Sequence, residues 1–274
     1  MSGAAVRALR VTRVVDGASG DVDDRVAVEE PLEVRVNNSP FAVIMRTPGE
    51  DVPLAAGFLL AEDVVHAADE IAAIEQCDDV EDDARGNVLN VTVTGEAAIR
   101  VEARLGERRQ IITTAACGLC GRRTIESIRS RVSTVGGQWT VPAAVVSRLP
   151  DALREAQDAF ALTGGIHASA LCDLDGRVRL AAEDVGRHNA LDKIVGRALL
   201  EGLVPLDRTL LVVSGRSSYE LVQKALLAGV PLVAGVSAPS SLAVELARAT
   251  GITLCGFVRG TSMNVYTHPE RITR

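Results

Sequence analysis

Apolar and polar side chains alternate along Val26-Ala27-Val28 and Leu32-Glu33-Val34-Arg35-Val36, the period of two that a half-buried strand requires. Asn37-Asn38-Ser39 turns the second run into a third over Phe41–Met45, whereas residues 1–25 read as a polar, irregular segment. Pro48-Gly49-Glu50-Asp51 leads into an expected helix with Leu54, Phe58 and Leu59 on its apolar face, and the acidic stretch Asp78–Asp83 reads as a solvated loop. Val88–Thr94 and Ile99–Ala103 suggest a further hairpin. Ile111–Thr114 reads as a strand end, and after a short loop Ile125, Ile128 and Val132 fall on one face of a helical period.

Beyond Gly136-Gly137 the pattern changes. Ala/Leu/Val-rich helical runs alternate with short continuous apolar runs, as expected of an α/β layer whose strands are covered on both faces. A helix is expected to open near Pro150-Asp151 and stop at Gly164-Gly165, followed by strands over His167–Leu171 and Val178–Ala182 joined through an Asp175-Gly176 turn. A helix from about Ala190 to Leu200 comes next. Strands Thr209–Val213, Pro231–Val236 and Ile252–Val258 then alternate with helices Ser218–Ala228 and Ser241–Ala249, which predicts right-handed βαβ crossovers. The chain thus divides into an irregular segment 1–25, a smaller β-rich domain 26–140 and an α/β domain 141–274.

Composition narrows the class. With 274 residues, 47% of them hydrophobic, the chain can bury a substantial core. A net charge of −7 argues against a broad nucleic-acid-binding surface while leaving room for a local basic pocket. No segment resembles a secretory leader, and no apolar run approaches the roughly 20 residues needed to span a bilayer, so no membrane partner and a cytoplasmic location are expected. Five cysteines is an odd count, and the isolated Cys77, Cys172 and Cys255 read as structural thiols in a reducing compartment.

The remaining two cysteines carry chemistry. Cys117-Gly-Leu-Cys120-Gly121 lies between the expected strand and helix, beside Arg122 and Arg123. Unpaired N–H groups at a helix start and two adjacent cations favour thiolate over thiol, and the thiolate is the nucleophile. A zinc site would need two further ligands, and neither a second Cys-x-x-Cys nor a His-x-Glu partner exists, so no metal is expected. A dithiol–disulfide exchange centre and a sulfur carrier both remain, as does an inert buried pair; the glycine flanks suit a carrier whose thiol must reach donor and acceptor.

A second constellation lies in the α/β half. Ser214-Gly215-Arg216-Ser217 and Ser237–Ser240 are expected at the carboxyl ends of parallel strands, where open sheets bind ligands and helix N-termini favour phosphate. Arg216, Arg259 and Gly260-Thr261-Ser262 add charge and close backbone approach. The alternative is that these residues only cap helices and tighten turns. His167, His188 and His268 read first as hydrogen-bonded structural residues, with His188 kept as a site candidate, and Glu183-Asp184 as partners of Arg187 and Lys193.

Read together, the thiol loop, Glu183-Asp184-Val185-Gly186-Arg187-His188-Asn189-Ala190-Leu191-Asp192-Lys193, Ser214-Gly215-Arg216-Ser217-Ser218-Tyr219-Glu220, and Gly256-Phe257-Val258-Arg259 with Asn264-Val265-Tyr266-Thr267-His268-Pro269 resemble the formate dehydrogenase accessory sulfurtransferase family, FdhD. The resemblance covers the chain from about residue 26 to the end. It implies a sulfurtransferase acting through a cysteine persulfide, taking sulfur from a cysteine desulfurase to the molybdenum cofactor that formate dehydrogenase requires. It further implies Cys117 as the persulfide-bearing residue and Cys120 as its helper. Phe257, Val258, Arg259, Gly260, Thr261 and Ser262 would contact Mo-bis(molybdopterin guanine dinucleotide) through its guanine-nucleotide part. The resemblance also implies a homodimer and a C-terminal α/β sheet similar to the cytidine deaminase fold, although the deaminase zinc signature is absent. Where the usual basic turn precedes Tyr-Thr-His-Pro, this chain has Gly260-Thr261-Ser262-Met263, which would leave more of the phosphate contact to Arg259. The alternative to transfer is a chaperone that binds and delivers the cofactor without sulfur chemistry.

Overall fold

In a computed structural model the described residues are 5–77, 80, 81, 84–108, 134–137 and 139–274. The first of them overturn one expectation. Val6–Val15 (β1) and Ala18–Ala27 (β2) pair as an antiparallel hairpin of two ten-residue strands, so the stretch expected to be irregular is a hairpin from Val6 on. Its turn, Asp16-Gly17, has positive φ at both residues (51° and 83°), the pairing that suits the twist of a two-residue hairpin. The ribbon is exposed on most positions of both faces and therefore lacks the apolar alternation by which strands are recognised.

Four strands make the second sheet, in the order Ser39–Arg46 (β4), Glu30–Val36 (β3), Val88–Val93 (β6), Ile71–Gln76 (β5). Leu32, Val34 and Val36 of β3 are wholly buried, as their alternation requires. Helix Asp51–Ala61 (α1) lies between β4 and β5 in the chain, and Glu96–Arg108 (α2) follows β6. The hairpin expected over Ile99–Ala103 is thus a helix. The buried Ala97 and Val101 stand four residues apart on its inner face, and the Arg100 guanidinium donates to the Val64 carbonyl at 2.9 Å.

The α/β half is built on six strands in the order Ser262–Val265 (β13), Thr253–Arg259 (β12), Leu232–Gly235 (β11), Leu210–Val213 (β10), His167–Cys172 (β8), Val178–Asp184 (β9). Strands β10, β11 and β12 run parallel, and β8, β9 and β13 close the two sides antiparallel. The α/β class expected from the pattern is the class observed. A small parallel bridge pairs Val141–Pro142 (β7) with Ile272–Thr273 (β14), so the start and end of this half are adjacent. Helix Ala143–Glu155 (α3) covers one face of the sheet, and its buried Val146, Leu149 and Leu153 form a helical stripe in a core with Ala170, Val212 and Ala234. The expected start at Pro150 is corrected: Pro150 sits inside α3, and packing of that stripe offsets the ladder bond that proline removes. After a break at Ala156-Gln157, a short helix Asp158–Thr163 (α4) ends on Gly164 at φ 64°. Helices Arg187–Leu200 (α5), Tyr219–Leu227 (α6) and Ser241–Thr250 (α7) lie on the other face.

That second face is where the two halves fuse, because one continuous core runs from Leu32, Val34 and Leu54 to Ile194, Val213 and Leu254. At its centre α1 crosses α5 with no side chains between them. A Cβ on Gly57 would overlap the Asp192 carbonyl, and one on Gly196 would overlap the Pro53 carbonyl. Gly57→Ala or Gly196→Ala should therefore cost at least about 3 kcal/mol, the upper end of what overpacking a tight core does, since backbone cannot yield as a rotamer can. Urea denaturation of the variants checks this, and a change below about 0.5 kcal/mol would contradict the crossing geometry.

Candidate functional site

The carboxyl ends of β10, β11 and β12 open onto two loops that hold each other. Ser217 bridges to Pro239, the Ser240 amide donates to the Ser217 carbonyl at 3.1 Å, and the Phe257 amide donates to the Ser237 carbonyl at 3.2 Å. Most loop hydroxyls are used locally. Ser218 and Ser240 cap α6 and α7 by accepting from the Leu221 and Ala243 amides, and Ser214 Oγ accepts from the Ala168 amide at 2.9 Å. Ser217 Oγ differs, being wholly buried with no hydrogen-bond partner among the described residues. Arg216 projects from this edge and is exposed.

Residues 257–262 continue the same edge. Phe257 holds φ 53°, a left-handed conformation unusual for a side chain of its size, at the bulge that interrupts β12–β13 pairing between Gly256 and Arg259. Arg259, Gly260, Thr261 and Ser262 are exposed around this turn, and the Arg259 guanidinium lies 5.9 Å from the Phe257 ring centre. Val258 is wholly buried, so its side chain belongs to the core and leaves only its backbone for a ligand. Cys117 and Cys120, together with the strand and helix expected around them, lie outside the described residues. The free cysteines Cys172 and Cys255 are buried, and burial pushes both thiols up to about 12, where they stay protonated.

The acids of the long motif make their hydrogen bonds within the frame. Asp184 is wholly buried and takes the Lys193 ammonium at 2.8 Å, the Gly186 and Thr47 amides and the Asn189 side chain. Lys193 also donates to the Thr47 carbonyl at 2.9 Å, so the expected pairing of this acid with Lys193 is present and extends into the N-terminal half. Glu183 instead turns to α4, where its two oxygens accept from the Ala159 and Phe160 amides at 2.8 Å. His268 is held between Glu270 and the Arg248 carbonyl, each at 3.1 Å.

His188 sits where a catalytic imidazole could, with Ser218 Oγ at 3.3 Å and Glu220 Oε2 at 3.1 Å, but both contacts fall on Nε2. A hydrolytic triad needs the acid on one ring nitrogen and the hydroxyl on the other, so His188 does not have the geometry of a triad base. Burial, with Lys224, Arg187 and His167 as further causes, lowers its pKa to about 3, and burial likewise raises the Glu220 carboxyl.

One feature of the site had no motif to announce it. A cavity of about 590 Å³ lies between α3, α4 and the strand ends, bounded by Gln157, Phe160, His167, Ser214 and Val236 among others. Gln157 is 6% exposed, and its Nε2 has no partner among the described residues, a cost of about 1–3 kcal/mol for a buried amide. Nothing in its sequence context marks it, since a lone glutamine at a helix break carries no motif.

The fold and this edge define a mixed α/β protein whose parallel strands end in a ligand-sized recess fused to a second sheet. A crystal structure from Desulfotalea psychrophila, described as a formate dehydrogenase accessory protein, shares the fold with a TM-score of 0.76, covering 98% of this chain and 99% of that one at 24% identity. The FdhD/NarQ family model matches residues 27–273. Sulfur carrier protein FdhD of Streptomyces avermitilis is 47% identical over 271 residues, covering 96% of this chain and 94% of its own. Its Mycobacterium tuberculosis counterpart is 48% identical over 258 residues, covering 91% and 92%. The chain belongs to the FdhD/NarQ family, as the sequence motifs imply.

The depressed His188 sets a pH response. Above its unfolded pKa of about 6.5 the ring is neutral in both states; as pH falls from there toward about 3 the unfolded chain binds a proton that the native site resists, so stability falls with pH. His188→Gln should flatten this part of the acid side of the stability profile. Urea titrations at intervals between pH 7 and 4 measure it, and parallel profiles for the two proteins would contradict a neutral His188.

Proposed function

We propose that this chain carries sulfur during formate dehydrogenase maturation, through a persulfide on Cys117. The observation that supports the reading most directly is similarity over nearly the whole chain to proteins named sulfur carriers, in a chain that has one Cys-x-x-Cys pair. In this reading the Cys117 thiolate attacks the terminal sulfur of a cysteine desulfurase persulfide. The donor's S–S bond breaks, its cysteine leaves as thiolate, and Cys117–S–S⁻ forms. At the acceptor, Cys120 attacks Cys117 Sγ and expels the terminal sulfur as sulfide, leaving a Cys117–Cys120 disulfide for a thiol reductant to reopen.

The acceptor is the molybdenum cofactor, Mo-bis(molybdopterin guanine dinucleotide), bound as substrate before it enters formate dehydrogenase. The recess at the strand ends suits the anionic part of such a cargo. Helix N-termini, the exposed Arg216 and Arg259 and the open turn at Gly260 gather there, and Ser217 Oγ is an unpartnered donor beneath them. The reaction takes place in the cytoplasm on a homodimer. Among the described residues no helix is long and apolar enough to cross a membrane.

Incubating the purified protein with a cysteine desulfurase and cysteine, followed by intact-mass and peptide mass spectrometry, should show one added sulfur on Cys117, removable by reductant and absent from Cys117→Ser. Cys120→Ser should load sulfur but release it more slowly. No added sulfur on the wild-type protein would sink the carrier reading, and cofactor still bound in that case would leave delivery alone as the function.

A further inference from the structure

No residue of the β1–β2 hairpin is buried, and nearly all of it precedes the stretch 27–273 that the family model matches. Neither strand alternates strictly along its own length, but residues opposite each other in an antiparallel pair share a face, and the register gathers Leu9, Val11, Val15, Val22 and Val26 on one side of the ribbon. Leu9, Val15 and Val26 are 44%, 58% and 36% exposed there, so α4, which lies against both strands, leaves this face open.

The two faces treat their charges differently. On the polar face Arg10 lies 4.0 Å from Asp21 and 3.8 Å from Asp23, and Thr12 donates to Asp21 at 3.1 Å. On the apolar face Arg13 and Asp24 have no ion-pair partner among the described residues, Asp24 accepting only the Arg25 amide. They stand on opposite strands, each two residues from the central Val11–Val22 pair, Arg13 toward the turn and Asp24 toward the base. Four positions of register, about 13 Å, keep them from pairing within one chain.

A two-fold axis across the ribbon at Val11–Val22 resolves both features. It lays apolar face on apolar face with the strands antiparallel, and brings Arg13 of each copy over Leu9 and beside Asp24 of the other. An axis along the strands would set Arg13 beside Arg13 and Asp24 beside Asp24, which like charges oppose. We infer that the apolar face of the hairpin is a contact between two copies of this chain, packed antiparallel with Val11 and Val22 at its centre and Arg13 paired with Asp24 on either side. The inference names a contact for the homodimer of the carrier reading and rests on that reading for the presence of two copies. At ordinary strand spacings the face measures about 34 by 10 Å, roughly 340 Å² a copy against about 800 Å² in a standard interface, so the contact is a reversible one.

Sedimentation velocity of the full-length protein from about 1 to 100 μM tests it, with a dimer of roughly micromolar dissociation constant expected for wild type. Arg13→Asp and Asp24→Arg should each weaken association at least about tenfold, since each sets like charges at both pairs. Mixing the two variants should restore it, because the mixed dimer again pairs opposite charges at both. The two positions are exposed, and melting temperatures matching wild type show the fold retained. A wild-type monomer throughout the range would overturn the inference and the homodimer with it. A wild-type dimer that neither variant weakens, or weakened variants that mixing does not restore, would overturn the contact and leave the homodimer standing. Sulfur on Cys117 is scored separately by mass on the same samples, so failure of the contact and failure of the carrier step are told apart.

Discussion

Everything in this molecule depends on the crossing of α1 and α5, where backbone meets backbone. Gly57 and Gly196 remove the Cβ atoms that would hold two helices at the usual separation, and each lies against a carbonyl of the other helix. Contact this close leaves no room for slippage. The four-stranded sheet, which α1 covers, therefore has a set position on the α/β sheet, which α5 covers, and one core serves both. A flexible linkage between halves would have been the default for two domains of this size; the glycine contact replaces it with a single rigid frame.

A buried polar node beside the crossing locks its orientation. Thr47 uses all three of its polar groups across the junction: its amide on Asp184, its hydroxyl on the Val185 amide and its carbonyl on Lys193. Asn189 adds a bond to the Met45 carbonyl at 2.7 Å, and the Asp192–Lys224 pair ties α5 to α6. Charges buried this fully stabilise little unless every lone pair and proton is matched, but their directionality admits only one arrangement. That arrangement is what brings Glu183 onto α4, Ser214 onto β8 and the βα loops into register along one edge.

The C-terminal strand-helix alternation was legible in the sequence because fully covered strands and amphipathic helices write their burial directly into residue type. The parallel strands fell within a residue or two of their observed ends. The first hairpin was illegible for the converse reason: a ribbon exposed on both faces has no period, and only Asp16-Gly17 marked it. Ile99–Ala103 misled because five residues cannot separate a strand from one turn of helix, and Pro150 because tertiary packing overrode a local breaker. At the site, the motifs around Glu183–Lys193 and Ser214–Glu220 were conspicuous, yet most of their polar atoms hold the frame together. Gln157 carried no motif at all, since its buried, unpartnered amide arises only from the packing of α3, α4 and the strand ends.

The frame also constrains how sulfur could reach the recess. The thiol segment leaves the described fold after α2 and rejoins it where the Val135 amide donates to the Thr250 carbonyl at 2.9 Å, at the C-terminal end of α7. The recess lies at the other end of that helix, where Ser240 caps it, and a ten-residue helix is about 15 Å long. The frame therefore holds the return anchor of the thiol segment about one helix length from the edge where the loops after β10 and β11 meet, and the rigid α1–α5 crossing keeps that separation fixed.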